Sequence, residues 1–201
     1  MKKHTQLERF LVFAYFGIDL NDENSDEDII RKCVDRAYLD MCRTLKTAEL
    51  SEKYKESWEN IKTTMTNNLV DVLNSKHSSL VSMRNNAYEK LTGINYGQVQ
   101  KWINMSLKYM WLLGLIDDSQ KAELEAPIDS YIIHKINHIP KSTAWSTLTI
   151  EEYNSIKDEI TTCATEYSTV IDWEFNAWIE QAKEEKRIEQ EKQKKKKSNN
   201  K

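Results

Sequence analysis

The sequence has very little glycine and proline. Its 201 residues include four glycines and two prolines, whereas ordinary usage would give roughly fourteen and ten. β-Turns, hairpins and glycine-rich loops depend on these two residues, so their scarcity predicts an all-α fold. The scarcity also argues against a phosphate-binding P-loop, a dinucleotide-binding G-x-G-x-x-G turn and a G-x-S-x-G nucleophile elbow, and none of these motifs occurs.

Cysteines and long apolar runs are scarce as well. The three cysteines are Cys33, Cys42 and Cys163, an odd number without a C-x-x-C pair, which indicates neither a disulfide framework nor a metal-binding knuckle. No run reaches the roughly 18 apolar residues that a bilayer requires, and residues 1–20 lack a small-residue cleavage site for a signal peptide. We therefore expect reduced thiols, no membrane partner and a cytoplasmic location.

Positive charge is concentrated at the end of the chain. The net charge is -3, but residues 192–201 hold six lysines and no acidic residue, which leaves 23 basic against 32 acidic residues elsewhere, or -9. A body of that charge repels phosphate, so a nucleic-acid surface on it must be local. The composition predicts one all-helical domain over residues 1–182, followed by a charged, frayed helix and a disordered lysine-rich tail over residues 183–201.

Apolar residues recur at helical spacing along most of the chain. Ser25 is the expected cap of the second helix, Pro127 is expected in a first helical turn, and Thr149 with Glu152 forms a capping-box pattern. The most apolar segment, residues 98–113, is expected to be the central helix of a compact multi-helix domain. The predicted helices cover residues 7–18, 26–45, 49–73, 80–91, 98–113, 128–136 and 150–162, and a last one begins near residue 172.

Two short segments contain the candidate functional residues. They are residues 96–104, YGQVQKWIN, and residues 126–134, APIDSYIIH. They resemble the hairpin and the aspartate segment of the helix-hairpin-helix DNA glycosylase superfamily, in its lysine-bearing 8-oxoguanine glycosylase/lyase branch. In that family a G-x-G-x-K turn opens one apolar helix, and a P-[VI]-D segment opens the next. Gly97 and Lys101 match the first glycine and the lysine, while Pro127 and Asp129 match the proline and the aspartate. Val99 stands in place of the family's second glycine.

The resemblance implies a base-excision DNA glycosylase and AP lyase that acts on damaged purines in duplex DNA, with no metal and no cofactor. Lys101 would attack the sugar C1′ of an extruded nucleotide and form a Schiff base. Asp129, at a helix N-terminus, would stabilise the positive charge that develops on the sugar. Backbone N–H groups of the hairpin turn would hold a phosphate. The nucleic-acid-binding residues implied in this way are Gly93, Gly97, Gln98, Val99 and Gln100.

A second hypothesis is a non-catalytic all-α module of a bacterial or phage genome that binds a protein partner. In that interpretation Lys101 is an ordinary helix lysine, and the Pro-Ile-Asp sequence is ordinary capping chemistry. His134 and His138 have the i, i+4 spacing of a helical metal site, but Lys135 stands where the H-E-x-x-H signature has glutamate. We therefore expect a structural role for both histidines.

Overall fold

The regular structure consists of α-helices and two short 3-10 helices. The computed structural model describes Phe13 and residues 25–45, 55–74, 80–90 and 94–199. Within these residues there is no strand, which confirms the all-α prediction. The helix predicted over residues 7–18 lies outside the described residues, apart from Phe13. The helices are α1 (Asp26–Leu45), α2 (Lys55–Asn74), α3 (Leu80–Lys90), α4 (Tyr96–Leu112), α5 (Ser130–Lys135), α6 (Ile150–Cys163) and α7 (Val170–Asn199), with 3-10 helices at Asp118–Glu123 and Trp145–Thr147.

The most apolar segment forms the centre of the fold, as predicted. The indole Nε1 of Trp102 in α4 donates a hydrogen bond to the Val34 carbonyl oxygen of α1 at 3.0 Å, so even the polar atom of this buried ring has a partner. Helices α1 and α4 thereby pack along each other and supply much of the core. Their buried side chains include Ile29, Ile30, Cys33, Val34, Ala37, Met41, Val99, Trp102, Ile103, Leu107 and Met110.

The two predicted N-terminal caps are present. The Asp28 backbone N–H donates to Ser25 Oγ at 3.2 Å, and Asp28 Oδ2 accepts from the Ser25 N–H at 3.1 Å. At α6 the Glu152 N–H donates to Thr149 Oγ1 at 3.2 Å, and Glu152 Oε2 accepts from the Thr149 N–H at 2.9 Å. Each reciprocal pair satisfies backbone donors that a helix start leaves open. Both helices therefore begin where local sequence predicts.

The start of α5 differs from the prediction. The helix was expected over residues 128–136 with Pro127 in its first turn, but it begins at Ser130, with Asp129 as its N-cap. The cause is a side chain from α4: Gln100 accepts from the Ile128 N–H at 3.0 Å and donates to the Ile128 carbonyl at 2.8 Å. These bonds occupy the Ile128 backbone groups, so residues 127 and 128 lie before the helix.

The end of the chain also differs. Helix α7 continues to Asn199, where the sequence predicted fraying from Lys183 and a disordered tail. Arg187 contributes to this continuity through ion pairs with Glu184 at 2.7 Å and Glu191 at 3.4 Å, the spacings that support exposed helices. Residues 186–195 of this helix are exposed. None of the helices in the described part of the chain has the length and apolar composition needed to cross a membrane.

Three tyrosines join α3, α4 and α6. Ring centroids lie 4.7 Å apart for Tyr88 and Tyr96 and 5.2 Å apart for Tyr96 and Tyr153. The Tyr153 hydroxyl donates to Glu125, which also pairs with Arg84 at 2.8 Å. Burial raises the pKa of Tyr96 to about 12, and burial likewise raises the pKa of Tyr88 and of Tyr153. These phenols therefore stay protonated in the folded protein at pH values where an unfolded chain loses the protons.

This tyrosine cluster should make the fold sensitive to alkali. The folded pKa values lie above the unfolded value of about 10, so the contribution of these tyrosines to stability is constant below about pH 10 and falls as pH rises from there through the folded pKa values. Each such tyrosine contributes a slope of up to about 1.4 kcal/mol per pH unit. Urea denaturation between about pH 9 and pH 11 measures the slope, and Tyr96→Phe should reduce it. A free energy of unfolding that is constant over this range would contradict the prediction.

Candidate functional site

The structure brings together Lys101 and Asp129, which lie 28 residues apart in the sequence. Lys101 Nζ is 3.2 Å from Asp129 Oδ2, and the two residues are 3% and 8% exposed. The other carboxylate oxygen of Asp129 accepts from the backbone N–H groups of Tyr131 at 2.9 Å and Ile132 at 3.1 Å. Asp129 therefore caps α5 with one oxygen and holds the lysine with the other. The two capping hydrogen bonds thereby hold the carboxylate beside the Lys101 amine.

Two polar residues of α4 position the segment that carries Asp129. The Gln100 side chain is fully buried, and besides its two bonds to Ile128 it donates to the Gly97 carbonyl at 2.9 Å. One turn later, Asn104 Nδ2 lies 3.2 Å from the Tyr153 hydroxyl oxygen and 3.5 Å from the Ala126 carbonyl oxygen. Sequence reasoning missed Asn104. The available signal was the i, i+4 spacing of two amide side chains on the most apolar helix.

An aromatic ring covers the amine. Lys101 Nζ lies 4.6 Å from the ring centroid of Trp145, a buried residue of the connection between α5 and α6. An ammonium at this distance from an indole face is attracted by its quadrupole. Sequence analysis did not select Trp145, since no local pattern relates it to Lys101. The Lys101 ammonium is thus held between a carboxylate and an indole.

Gly97 makes this arrangement possible. Its N–H donates to the Leu148 carbonyl at 3.1 Å. A Cβ atom built on Gly97 would lie 1.9 Å from the Trp145 carbonyl oxygen and 3.0 Å from the Leu148 nitrogen. Glycine is required here because the backbone of another segment rests directly on the first turn of α4.

The implied phosphate-binding residues are placed differently from a free hairpin turn. Residues 97–100 belong to the first turn of α4 and are buried, while Gly93 lies outside the described residues. The N–H groups of Gln98 and Val99 both donate to the Asn95 carbonyl, at 3.0 and 3.1 Å. Together with the Gly97 bond to Leu148, these bonds occupy the amides within the protein. A phosphate at this turn would have to replace them.

A second buried ion pair lies two turns along α4. Lys108 Nζ is 2.5 Å from Glu174 Oε2 of α7, and the residues are 7% and 2% exposed. Lys108 Nζ also lies 4.1 Å from the ring centroid of Phe175. Burial raises the pKa of Glu174, while the Lys108 charge opposes that shift and the charges of Asp129 and Lys101 act more weakly. The charges of the two buried pairs therefore act on each other inside the fold.

The described residues contain no group of three or more His, Cys, Asp and Glu side chains that could hold a metal ion. Helix α5 ends at Lys135, so His138 follows the helix rather than sharing a face with His134. The His134 ring instead lies 3.3 Å from the Gln181 amide nitrogen through Nδ1 and 3.3 Å from the Lys141 carbonyl oxygen through Nε2. This histidine joins α5 to α7 and to the following turn.

A buried amine beside a fixed carboxylate can perform nucleophilic chemistry, because the carboxylate can take up the proton that the amine must lose. Buried ion pairs also serve purely structural roles, so the geometry of the pair is compatible with both functions. Comparison of the chain with protein-family models, with curated proteins and with solved structures found no match.

Proposed function

We propose that the protein is a cytoplasmic enzyme that acts on duplex DNA, a glycosylase and AP lyase for damaged purines. The observation that supports it most is the 3.2 Å contact between Lys101 Nζ and the Asp129 carboxylate. The two residues belong to separate motifs, and the resemblance requires them to meet at one reacting atom. An ordinary lysine of an amphipathic helix extends into water. This one is turned inward to the carboxylate.

The chemistry follows from the pair. With its proton passed to Asp129, the Lys101 amine attacks C1′ of an extruded nucleotide, and the damaged base leaves with the electron pair of the glycosidic bond and takes the proton from Asp129. The Asp129 carboxylate, charged again, accepts a second proton from the nitrogen and passes it to O4′ as the C1′–O4′ bond opens, which gives a protonated Schiff base. Loss of a C2′ proton and departure of the 3′-phosphate from this Schiff base would cut the strand. In its charged form the Asp129 carboxylate also stabilises positive charge on the sugar.

One set of contacts favours the alternative, a non-catalytic module that binds another protein. The side chains of Lys101, Asp129 and Gln100 all have partners inside the fold. In this alternative they fix the register of α5 on α4, a role that buried polar groups serve in some proteins. The exposed Trp178 and Ile179 of α7 would then supply apolar surface for the partner.

Borohydride trapping separates the two functions. A duplex that carries an oxidised purine or an abasic site should give a covalent protein–DNA adduct on reduction, because the Schiff base becomes a stable amine. Lys101→Ala should abolish the adduct, and Asp129→Asn should slow its formation by about a hundredfold, the typical effect of losing one group that stabilises transition-state charge. The readout is the shifted band on a denaturing gel and the modified peptide by mass spectrometry.

Lys108→Met is the matched control, since it removes another buried, ion-paired lysine from the same helix. Circular dichroism would establish the folded fraction of each variant, and the folded fraction of Lys108→Met should still form the adduct. A chain that lacks residues 192–201 should form it too, which separates the site from binding by terminal lysines. Absence of an adduct, or an equal adduct with Lys101→Ala, would contradict the enzymatic proposal.

A further inference from the structure

The connection between α5 and α6, residues 136–149, is here called the Trp145 strap. We propose that Trp145 controls substrate access to Lys101: its indole occupies the position beside the amine that the substrate sugar must take, and it leaves when the strap lifts from α4. The identity of that substrate rests on the proposed function. The movement itself can be tested without DNA.

The space around the Lys101 amine is already filled. Lys101 Nζ has the Asp129 carboxylate at 3.2 Å and the Trp145 ring centroid at 4.6 Å, and the whole residue is 3% exposed. A nucleophilic nitrogen must come within about 3–3.5 Å of the carbon that it attacks. If Asp129 remains as the proton acceptor, the indole is a group that must give way.

The strap is attached to α4 by a backbone hydrogen bond and by buried side chains. The hydrogen bond from the Gly97 N–H to the Leu148 carbonyl joins it to α4, and the side chains of Trp145 and Leu148 are buried. The strap is also held by the buried Ile136 side chain and by the 3.3 Å contact between the Lys141 carbonyl oxygen and the His134 ring. Two backbone hydrogen bonds are internal to it, from Thr143 to Pro140 and from Thr147 to Ala144. A movement of the strap away from α4 is therefore confined to residues 142–148, which one backbone hydrogen bond and the two buried side chains hold there.

The helix ends that adjoin the strap are closed at its two terminal residues. The Ile136 N–H donates to the Ile133 carbonyl at the end of α5, and the capping box of Thr149 and Glu152 closes the start of α6. Neither helix end depends on a hydrogen bond to the middle of the strap. Lifting the strap would therefore leave both helices intact, which makes a local opening possible below global unfolding.

Lys108 provides a comparison within the same helix. Its amine is also ion-paired and lies beneath an aromatic ring, but that ring belongs to Phe175 in the second turn of α7. The same helix carries Glu174, so lifting the backbone away from Lys108 requires movement of α7. The two buried lysines thus differ in whether a connection or a helix covers them.

Reductive methylation of the full chain with formaldehyde and cyanoborohydride tests the inference. The rate at each lysine is followed by peptide mass spectrometry at increasing, sub-denaturing urea. For the wild-type protein we expect modification of Lys101 at a rate nearly independent of urea, because a local opening exposes little surface. Modification of Lys108 should require global unfolding and should rise steeply with urea.

Variants sharpen the test. Trp145→Ala should raise the rate at Lys101 about tenfold, the order expected when an ion–aromatic contact is lost, while Trp145→Phe should change it little and Lys108 should be unaffected. Phe175→Ala is the matched control. It should raise the rate of methylation at Lys108 and leave the rate at Lys101 unchanged. The wild-type urea dependence decides the matter even if a variant fails to fold.

The outcomes distinguish this inference from the proposed function. Equal urea dependence at Lys101 and Lys108 would overturn the access role of Trp145, even if wild-type protein forms the DNA adduct. Local exposure of Lys101 that increases in Trp145→Ala would support the role, even if no DNA adduct is ever trapped. In that second case it is the glycosylase proposal that fails.

Discussion

Replacement of Gly97 by alanine will destabilise the protein by about 3 kcal/mol, although the same change in an ordinary helix stabilises it by up to about 1 kcal/mol. The reason is the Trp145 carbonyl oxygen, which would lie 1.9 Å from the new Cβ atom. The position of the Cβ atom is fixed by the backbone of α4, and the oxygen belongs to the backbone of the strap. Rotation of a side chain therefore cannot relieve the contact. The strap must move away from α4, which also breaks the bond from the Gly97 N–H to Leu148.

Urea denaturation measures the loss, and methylation of Lys101 reports whether the strap has moved. Gly114→Ala is the matched control. Gly114 ends α4 with a positive φ of 76°, and a Cβ atom there meets nothing within 4 Å, so backbone strain alone costs about 1 kcal/mol. Gly114→Ala should leave the rate of methylation at Lys101 unchanged. If Gly97→Ala proves as stable as the wild-type protein, the backbone contact with the strap is not as close as described.

Features that depend on neighbouring residues could be predicted from the sequence. The caps at Ser25 and Thr149 need only residues three positions apart, and the buried face of α1 follows from helical periodicity. The stop at Gly114 follows from its position after an apolar run. These signals are local, so tertiary contacts do not alter them.

Features that depend on distant residues could not. The start of α5 was misplaced because Gln100, 28 residues away, binds both backbone groups of Ile128. The resemblance assigned the Gly97 amide to a phosphate, whereas in the structure that amide donates to the Leu148 carbonyl. Trp145 gave no signal at all, since its importance arises from a tertiary contact.

The candidate site was predicted in part. The resemblance selected Lys101 and Asp129, and the structure places them in contact. It gave no indication of Lys108 and Glu174, because the family motif does not extend to them. Their signal was an unusual one: a second lysine seven residues after the first on the most apolar helix, and a glutamate between two aromatic residues of α7. Helical periodicity alone could not predict that Lys108 and Glu174 are buried and paired with each other.

Removal of either partner of the buried ion pair between Lys108 and Glu174 will strongly destabilise the protein. Lys108→Met should cost about 3–5 kcal/mol at neutral pH, because it leaves Glu174 as a buried charge without its partner, and Glu174→Leu should cost a similar amount. The double variant should recover most of the loss, since two apolar side chains of similar volume replace both charges. Urea denaturation of the four proteins gives the coupling free energy.

The pH dependence has a definite sign. Burial already raises the pKa of Glu174 in the presence of Lys108, and removal of the opposing charge in Lys108→Met raises it further. The folded variant then holds a proton that the unfolded chain releases above about pH 4.5. Its stability is greatest near or below that pH and falls as pH rises through the folded pKa. The deficit of Lys108→Met relative to the wild-type protein should therefore shrink on acidification.

Lys121→Met is the matched control for this cycle. Lys121 pairs with Asp172 at the same 2.5 Å and also lies 4.5 Å from an indole centroid, that of Trp111, but the side chains are 18% and 33% exposed. Solvent screening should limit its loss to about 1 kcal/mol. Equal losses in the two lysine variants, or no recovery in the double variant, would contradict the burial argument. Recovery of the loss in the double variant would mean that the cost of each single change comes from the unpaired buried charge.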